Sequence, residues 1–284
     1  MKSLITILAA AAVLFSAQAA PAQETPVTVG TVAGSDVEML EKAVEVALRD
    51  GLAVEIREFS DYGQLNPALA AGDIDLNSFQ HIPFLESYLK DHPDGLVSIG
   101  TTYVSPMGFF SKKIKSLDEL KKGDTVVIPN DPSNGGRALL LLQAAGKISL
   151  KPEAGITPTP FDVTRNALEL KIVEVDAAQT FASLEDAATA AINNNYAQDA
   201  GLNPLKDAIY LEDQDSPYVN VIVARDADKD NPRFLQFVKA YQSAEVAEFI
   251  LQKYEGATIP AFKYQTQDQT SAPAPAEAGQ PARP

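Results

Sequence analysis

Apolar positions recur along this chain in two rhythms, and the alternation between them predicts its architecture. Val27, Val29 and Val32 mark a short strand over 27–32. Val37, Leu40, Ala43, Val44 and Ala47 then fall on one helix face, which predicts a helix over 36–48. Residues 52–59 alternate as a strand, 65–71 follow as a helix, and 73–79 return to strand. A helix is predicted over 83–90, with Pro83 in the first turn, where its missing N–H does no harm. Residues 96–104 read as a strand.

After Ser105-Pro106 the pattern starts again. Residues 108–111 are strand-like, Ser116-Leu-Asp-Glu opens a short helix as a capping box, and 125–128 is a buried-type strand. A loop is expected over 129–136 and a helix over 137–145. Residues 168–175 read as a strand, 181–187 as helix or turn, 187–192 as strand-like and 218–224 as a strong strand. Two helices, over 232–243 and 244–254, end the periodic part.

Alternating β and α segments predict mixed, mainly parallel sheets with helices on both faces. The block from Met107 to about Pro217 has its own strands and helices inside a chain that starts and ends elsewhere. The expected fold is therefore α/β and two-lobed, with 25–104 plus 220–264 as one lobe and 105–219 inserted as the other. Ligand sites in such folds lie at the carboxyl ends of strands and in the cleft between lobes.

The two ends of the chain break the alternation. Met1-Lys2-Ser3 is positive, 4–15 is apolar apart from Thr6, and SAQAA follows at 16–20. This is the pattern of a secretory signal peptide over 1–22, cleaved after Ala19 or Ala22. Its apolar run is shorter than the roughly 20 residues a spanning helix needs. From Gln265 the chain is dense in Pro, Ala and Gln with little to bury, which predicts a disordered tail over 265–284.

A formal charge of −15 argues against nucleic acid as a partner, because such binding depends on basic residues at phosphates. The chain has no cysteine. That removes any disulfide framework and any thiol to carry a lipid. The resulting expectation is a periplasmic, exported monomer that is not lipid-anchored.

Catalytic patterns are missing. There is no cysteine nucleophile and no Gly-x-Ser-x-Gly elbow, and His81 and His92 do not form a zinc signature. No enzyme, metal or cofactor is expected. The ends of the predicted strands instead collect aromatics, amides and one arginine. Tyr62, Phe79 and Phe84 suit an apolar pocket, and His81 sits between the two phenylalanines at its rim. Arg137 offers a planar fork for a carboxylate, at the start of the predicted helix after Gly135-Gly136. Asn193 and Asn220 offer amides to a charged head group. Each also has a plain structural reading: the phenylalanines as core, His81 as a satisfied core histidine, Arg137 as a surface residue, and Asn193 to Asn195 as a turn or cap.

Five stretches in order, NSFQHIPFL at 77–85, the NDPSNGGR loop, NNNYAQDAGL, SPYVN and GATIPAF, resemble the MetQ/NlpA family of ABC-transporter substrate-binding, methionine-binding proteins. The likeness spans nearly all of the chain from the signal peptide to Phe262. It implies a two-lobe periplasmic-binding-protein fold, type II-like, that closes on an amino acid, most often methionine, and hands it to a cognate ABC permease. It implies that Tyr62, Phe79, His81 and Phe84 line the side-chain pocket, that Arg137 holds the α-carboxylate, and that Asn193 and Asn220 hold the head group. Most members carry a cysteine at the cleavage site, and this chain has none. Two rival readings stand beside it: a secreted enzyme on the same fold with His81 as acid or base, and an exported interaction protein without transport function.

Overall fold

The computed structural model describes residues 25–93, 95–213 and 216–264. The signal-peptide reading of 1–22 and the tail reading of 265–284 lie outside the described residues.

The chain opens with strand β1 (Val27–Val32), helix α1 (Ser35–Arg49) and strand β2 (Val54–Phe59). Helix α1 buries Met39, Leu40, Ala43, Val46 and Ala47, the stripe its spacing dictates. Helix α2 (Leu65–Ala71) ends on Gly72 in the left-handed conformation, a regular way to stop a helix. Strand β3 (Leu76–His81) is buried along its whole length and runs straight into α3 (Ile82–Asp91). The sequence places this strand at 73–79, so it reaches His81 unforeseen. Strands β4 (Leu96–Thr101) and β5 (Tyr103–Val104) occupy the segment read as one strand.

The second half of the chain begins with β6 (Gly108–Phe110), β7 (Thr125–Pro129) and α4 (Pro132–Ala144). Short strands β8 (Ser149–Leu150) and β9 (Val163–Arg165) pair with each other. Strands β10 (Lys171–Val175) and β11 (Thr189–Ile192) follow, then helices α5 (Asn194–Asp199) and α6 (Pro204–Asp207), and strand β12 (Tyr210–Leu211). Strand β13 (Asn220–Arg225), helices α7 (Pro232–Tyr241) and α8 (Ala244–Tyr254), and strand β14 (Ile259–Pro260) complete the described chain.

Two sheets organise these elements, in the orders β2-β1-β3-β13-β4 and β10-β7-β11-β6-β12. In the first, β1 is parallel to β2 and β3, while β13 is antiparallel to β3 and β4. In the second, β7 is parallel to β10 and β11, while β6 is antiparallel to β11 and β12. Each sheet has its own core. Helices α1, α7 and α8 cover the first through Met39, Leu40, Phe237, Tyr241 and Ile250. Helix α4 covers the second through Ala138, Leu139 and Leu142. The architecture is α/β with two lobes.

One sequence reading is corrected here. The stretch 132–136, read as loop, is the first part of α4, which Asp131 caps by accepting from the Asn134 N–H at 2.9 Å. Gly135 and Gly136 therefore lie inside a helix, and Arg137 is not at its start. Their glycine identity has a packing cause. A Cβ on Gly135 would stand 2.7 Å from the Pro129 carbonyl oxygen. One on Gly136 would stand 2.7 Å from Thr157 Cα and 3.0 Å from the Ile156 oxygen. These neighbours are backbone and cannot swing aside. Alanine raises intrinsic helix propensity by about 1 kcal/mol over glycine. Gly136→Ala is nevertheless expected to destabilise the protein, by about 1–3 kcal/mol of overpacking, in urea denaturation followed by circular dichroism; a variant more stable than the parent would refute this account.

Candidate functional site

The site is assembled where β3 hands over to α3. His81 is both the last residue of β3 and the cap of α3: its Nδ1 accepts the Phe84 N–H at 3.1 Å. A ring nitrogen that accepts carries no proton, so the proton lies on Nε2. That nitrogen faces Asn134 Oδ1 of the other lobe at 3.1 Å. Asn134 stands in the first turn of α4, and its Nδ2 donates to Asp131 Oδ1 and Oδ2 at 3.1 and 3.0 Å. Asn193 Nδ2 also donates to Asn134 Oδ1, at 2.8 Å. The helix cap thus fixes Asn134, and Asn134 fixes both His81 and Asn193.

Antiparallel pairing sets Asn220 of β13 directly opposite His81, which joins the SPYVN and NSFQHIPFL stretches in space. Aromatic rings close one end of the site. Tyr62 and Phe79 lie 5.7 Å apart, and Phe79 meets Phe84 edge-on at 5.5 Å. The Tyr62 hydroxyl donates to Asn195 Oδ1 at 2.6 Å, and its ring lies 5.1 Å from that of Tyr196, so this wall also bridges the lobes.

Arg137 follows Asn134 by three residues on α4, which puts both on one helix face. Its Nε donates to Glu212 Oε1 and Oε2 at 3.0 and 3.1 Å, and its Nη2 to the Ser105 carbonyl at 2.9 Å and to Glu212 Oε2. The Tyr218 ring lies 4.1 Å below the guanidinium carbon.

These groups surround a small cavity of about 20 Å³ between the lobes. Every candidate named from the sequence lines it: Tyr62, Phe79, His81, Phe84, Arg137, Asn193 and Asn220. The sequence reading missed Gln80, Tyr103, Ser105, Asn134, Asn194 and Asn195, which line it too. The three-residue step from Asn134 to Arg137 was the available signal for Asn134, and it was hidden by reading 132–136 as loop. Gln80 is committed elsewhere: its Nε2 donates to Asn66 Oδ1 at 2.6 Å and to Asn77 Oδ1 at 2.9 Å, a buried amide cluster beside the cavity.

Asn193 Oδ1 is buried and has no hydrogen-bond partner among the described residues. A buried acceptor of this kind is costly unless some donor meets it. Burial, with the Arg137 charge nearby, pushes the His81 pKa down to about 3, so the ring is neutral. Burial has the opposite effect on Asp36, raised to about 7, which accepts from the Tyr103 hydroxyl at 2.5 Å.

A neutral, amide-rich cavity between two α/β lobes is the site of a periplasmic-binding-protein fold. The comparisons define it further. A family model described as NlpA lipoprotein matches residues 27–262. The D-methionine-binding lipoprotein MetQ of Escherichia coli is 49% identical over 239 residues, 83% of this chain and 88% of that protein. A nutrient-binding protein of Burkholderia cenocepacia, solved bound to methionine, superposes with a TM-score of 0.82 at 50% identity, covering 83% of this chain and all of that one. A periplasmic substrate-binding protein of an ABC transporter from Coxiella burnetii superposes with a TM-score of 0.80 at 48% identity, again covering 83% of this chain. The chain belongs to the NlpA lipoprotein family.

That membership corrects one expectation. The absence of cysteine predicts a protein that is not lipid-anchored, but the family is one of lipoproteins and its relatives carry that name.

The neutral His81 has a consequence in acid. Unfolded histidine takes up a proton near pH 6.5, whereas the buried ring resists until about 3. Its contribution is constant above pH 6.5 and is lost progressively as the pH falls from that value toward about 3. Asp36 acts in the opposite sense, because its folded pKa lies above the unfolded one and favours folding as the pH falls below about 7. The His81 share is therefore read by difference. Between pH 7.5 and 5 the parent should lose about 2 kcal/mol more than His81→Asn in chemical denaturation. Equal losses would show that His81 is not held neutral.

Proposed function

We propose that this protein is the substrate-binding component of an ABC importer in the periplasm, and that it closes on one methionine molecule. In this reading 25–104 plus 220–264 form one lobe and 105–219 the other. Tyr62, Phe79, His81 and Phe84 surround the thioether, which favours aromatic edges. Arg137 takes the α-carboxylate, and Asn193 and Asn220 take the head group.

The observation that carries the proposal is the sorting of chemistry inside one cavity. Rings gather at the Tyr62–Phe79–Phe84 end, while the amides and the guanidinium lie toward His81, Asn134 and Arg137. An amino acid with an apolar tail has the same asymmetry. The unpartnered Asn193 Oδ1 supplies an acceptor where an ammonium needs one. The relatives named for binding D-methionine, and the Burkholderia protein bound to methionine, support the ligand. The Coxiella protein supports the transport role and hence a cognate permease as partner.

The protein acts without catalysis in this reading, as a monomer and without nucleic acid. Ligand contacts made by both lobes stabilise the closed form, which the permease recognises.

Mass spectrometry of the freshly purified protein, followed by calorimetric titration with both stereoisomers of methionine, tests this. A bound, chemically unchanged methionine is expected. A modified product would favour an enzyme, and no binding of any amino acid would remove the proposal. Asn193→Ala should weaken methionine binding by about 1–3 kcal/mol through the lost buried hydrogen bond. Arg137→Ala should weaken it by about 2–5 kcal/mol, because a carboxylate is left unpaired in a dry cleft.

A further inference from the structure

Arg137 is only 4% exposed, and a buried guanidinium requires compensation. Glu212, itself 15% exposed, supplies it by engaging Nε and Nη2 together. The second proton of Nη2 goes to the Ser105 carbonyl, and Tyr218 covers one face of the fork. Nη1 has no hydrogen-bond partner among the described residues. Glu212 is held in turn by Met107, beside the paired strands β6 and β12. Its backbone N–H donates to the Met107 carbonyl at 2.9 Å, and its Oε2 accepts the Met107 N–H at 3.2 Å.

The charge balance follows from the neighbours. His81 is neutral, and Asp131 is turned to the N-terminal end of α4, whose dipole it caps. Arg137 and Glu212 are then the opposed charges left at the head-group end, and they cancel.

We propose that Glu212 sets the charge preference of the site: it locks the Arg137 fork, cancels its charge, and leaves Nη1 for the carboxylate of a ligand with no net charge. The role rests on the methionine reading above. Glu212 is a positioning residue and does not itself hold the ligand. A negative charge retained beside the guanidinium moderates its pull on anions and lowers the penalty for an ammonium in the same cavity. Without Glu212 the site would carry a net positive charge and reject cations strongly.

The test compares methionine with methioninamide, the same shape carrying a net positive charge, at about pH 6 where its amine is protonated. Calorimetry gives the ratio of the two dissociation constants for the parent, Glu212→Gln and Glu212→Asp, with melting curves to confirm folding. Glu212→Gln should raise the discrimination against methioninamide on the order of tenfold or more, since a unit charge a few ångströms away in a low-dielectric site has that effect. Glu212→Asp keeps the charge and should keep the ratio within about twofold, even where both affinities drop. Glu212→Asn replaces Glu212→Gln if the latter does not fold. If the neutral variant weakens both ligands equally, Glu212 is merely structural and this proposal is wrong while the methionine reading survives. If the parent binds neither compound, the methionine reading fails and takes this one with it.

Discussion

Asn134 Oδ1 receives two hydrogen bonds, one from His81 in the first lobe and one from Asn193 in the second. This shared acceptor is the constraint on which the site depends. It holds only because Asp131 fixes the amide from behind while capping α4, and because the α3 N-terminus fixes the tautomer of His81. Turn the Asn134 amide over, and two donors would face an NH2 group in a buried setting, each left unsatisfied at a cost of about 1–3 kcal/mol. The geometry therefore has one low-energy arrangement, and both lobes must agree on it.

Around that point the protein buries many amides with few charges. Asn66, Asn77 and Gln80 satisfy one another beneath the cavity. Asn194 reaches across the lobes to the Ala257 carbonyl and the Thr258 hydroxyl at 2.9 and 3.0 Å, and Asn195 accepts from Tyr62. Three consecutive asparagines thus divide the work. All three line the cavity, and Asn194 and Asn195 also grip the opposite lobe. Amides suit this task because each presents a donor and an acceptor without the desolvation cost of an ion.

Much of this was legible before any coordinates. Helices α1, α7 and α8 carry long periodic stripes, and α2 matches its predicted bounds. The aromatic and amide candidates at strand ends all converge, because strand ends in this kind of fold face the cleft. The illegible parts have physical causes. Strands β8, β9, β12 and β14 are two or three residues long and exist only through pairing with another segment. The start of α4 was hidden because glycines normally break helices, and nothing local announces that Pro129 and Thr157 press against them. Glu212 gives no local signal at all, since its partner Arg137 lies far away in sequence and meets it only through the fold.

The strand order of the first sheet carries a consequence for biogenesis. Strand β13 lies between β3 and β4, although the whole second lobe separates it from both in sequence. As the polypeptide emerges N-terminus first, β1, β2 and β3 can associate early, but β4 has no neighbour to join. The β3 edge that β13 will cover keeps its backbone N–H and C=O groups unpaired until the final third of synthesis delivers its mate. Such a nascent intermediate is prone to self-association and to capture by holdases, and pairing across so wide a sequence gap is slow. Completion of the first sheet thus waits on synthesis of the whole second sheet, whose strands are contiguous in sequence.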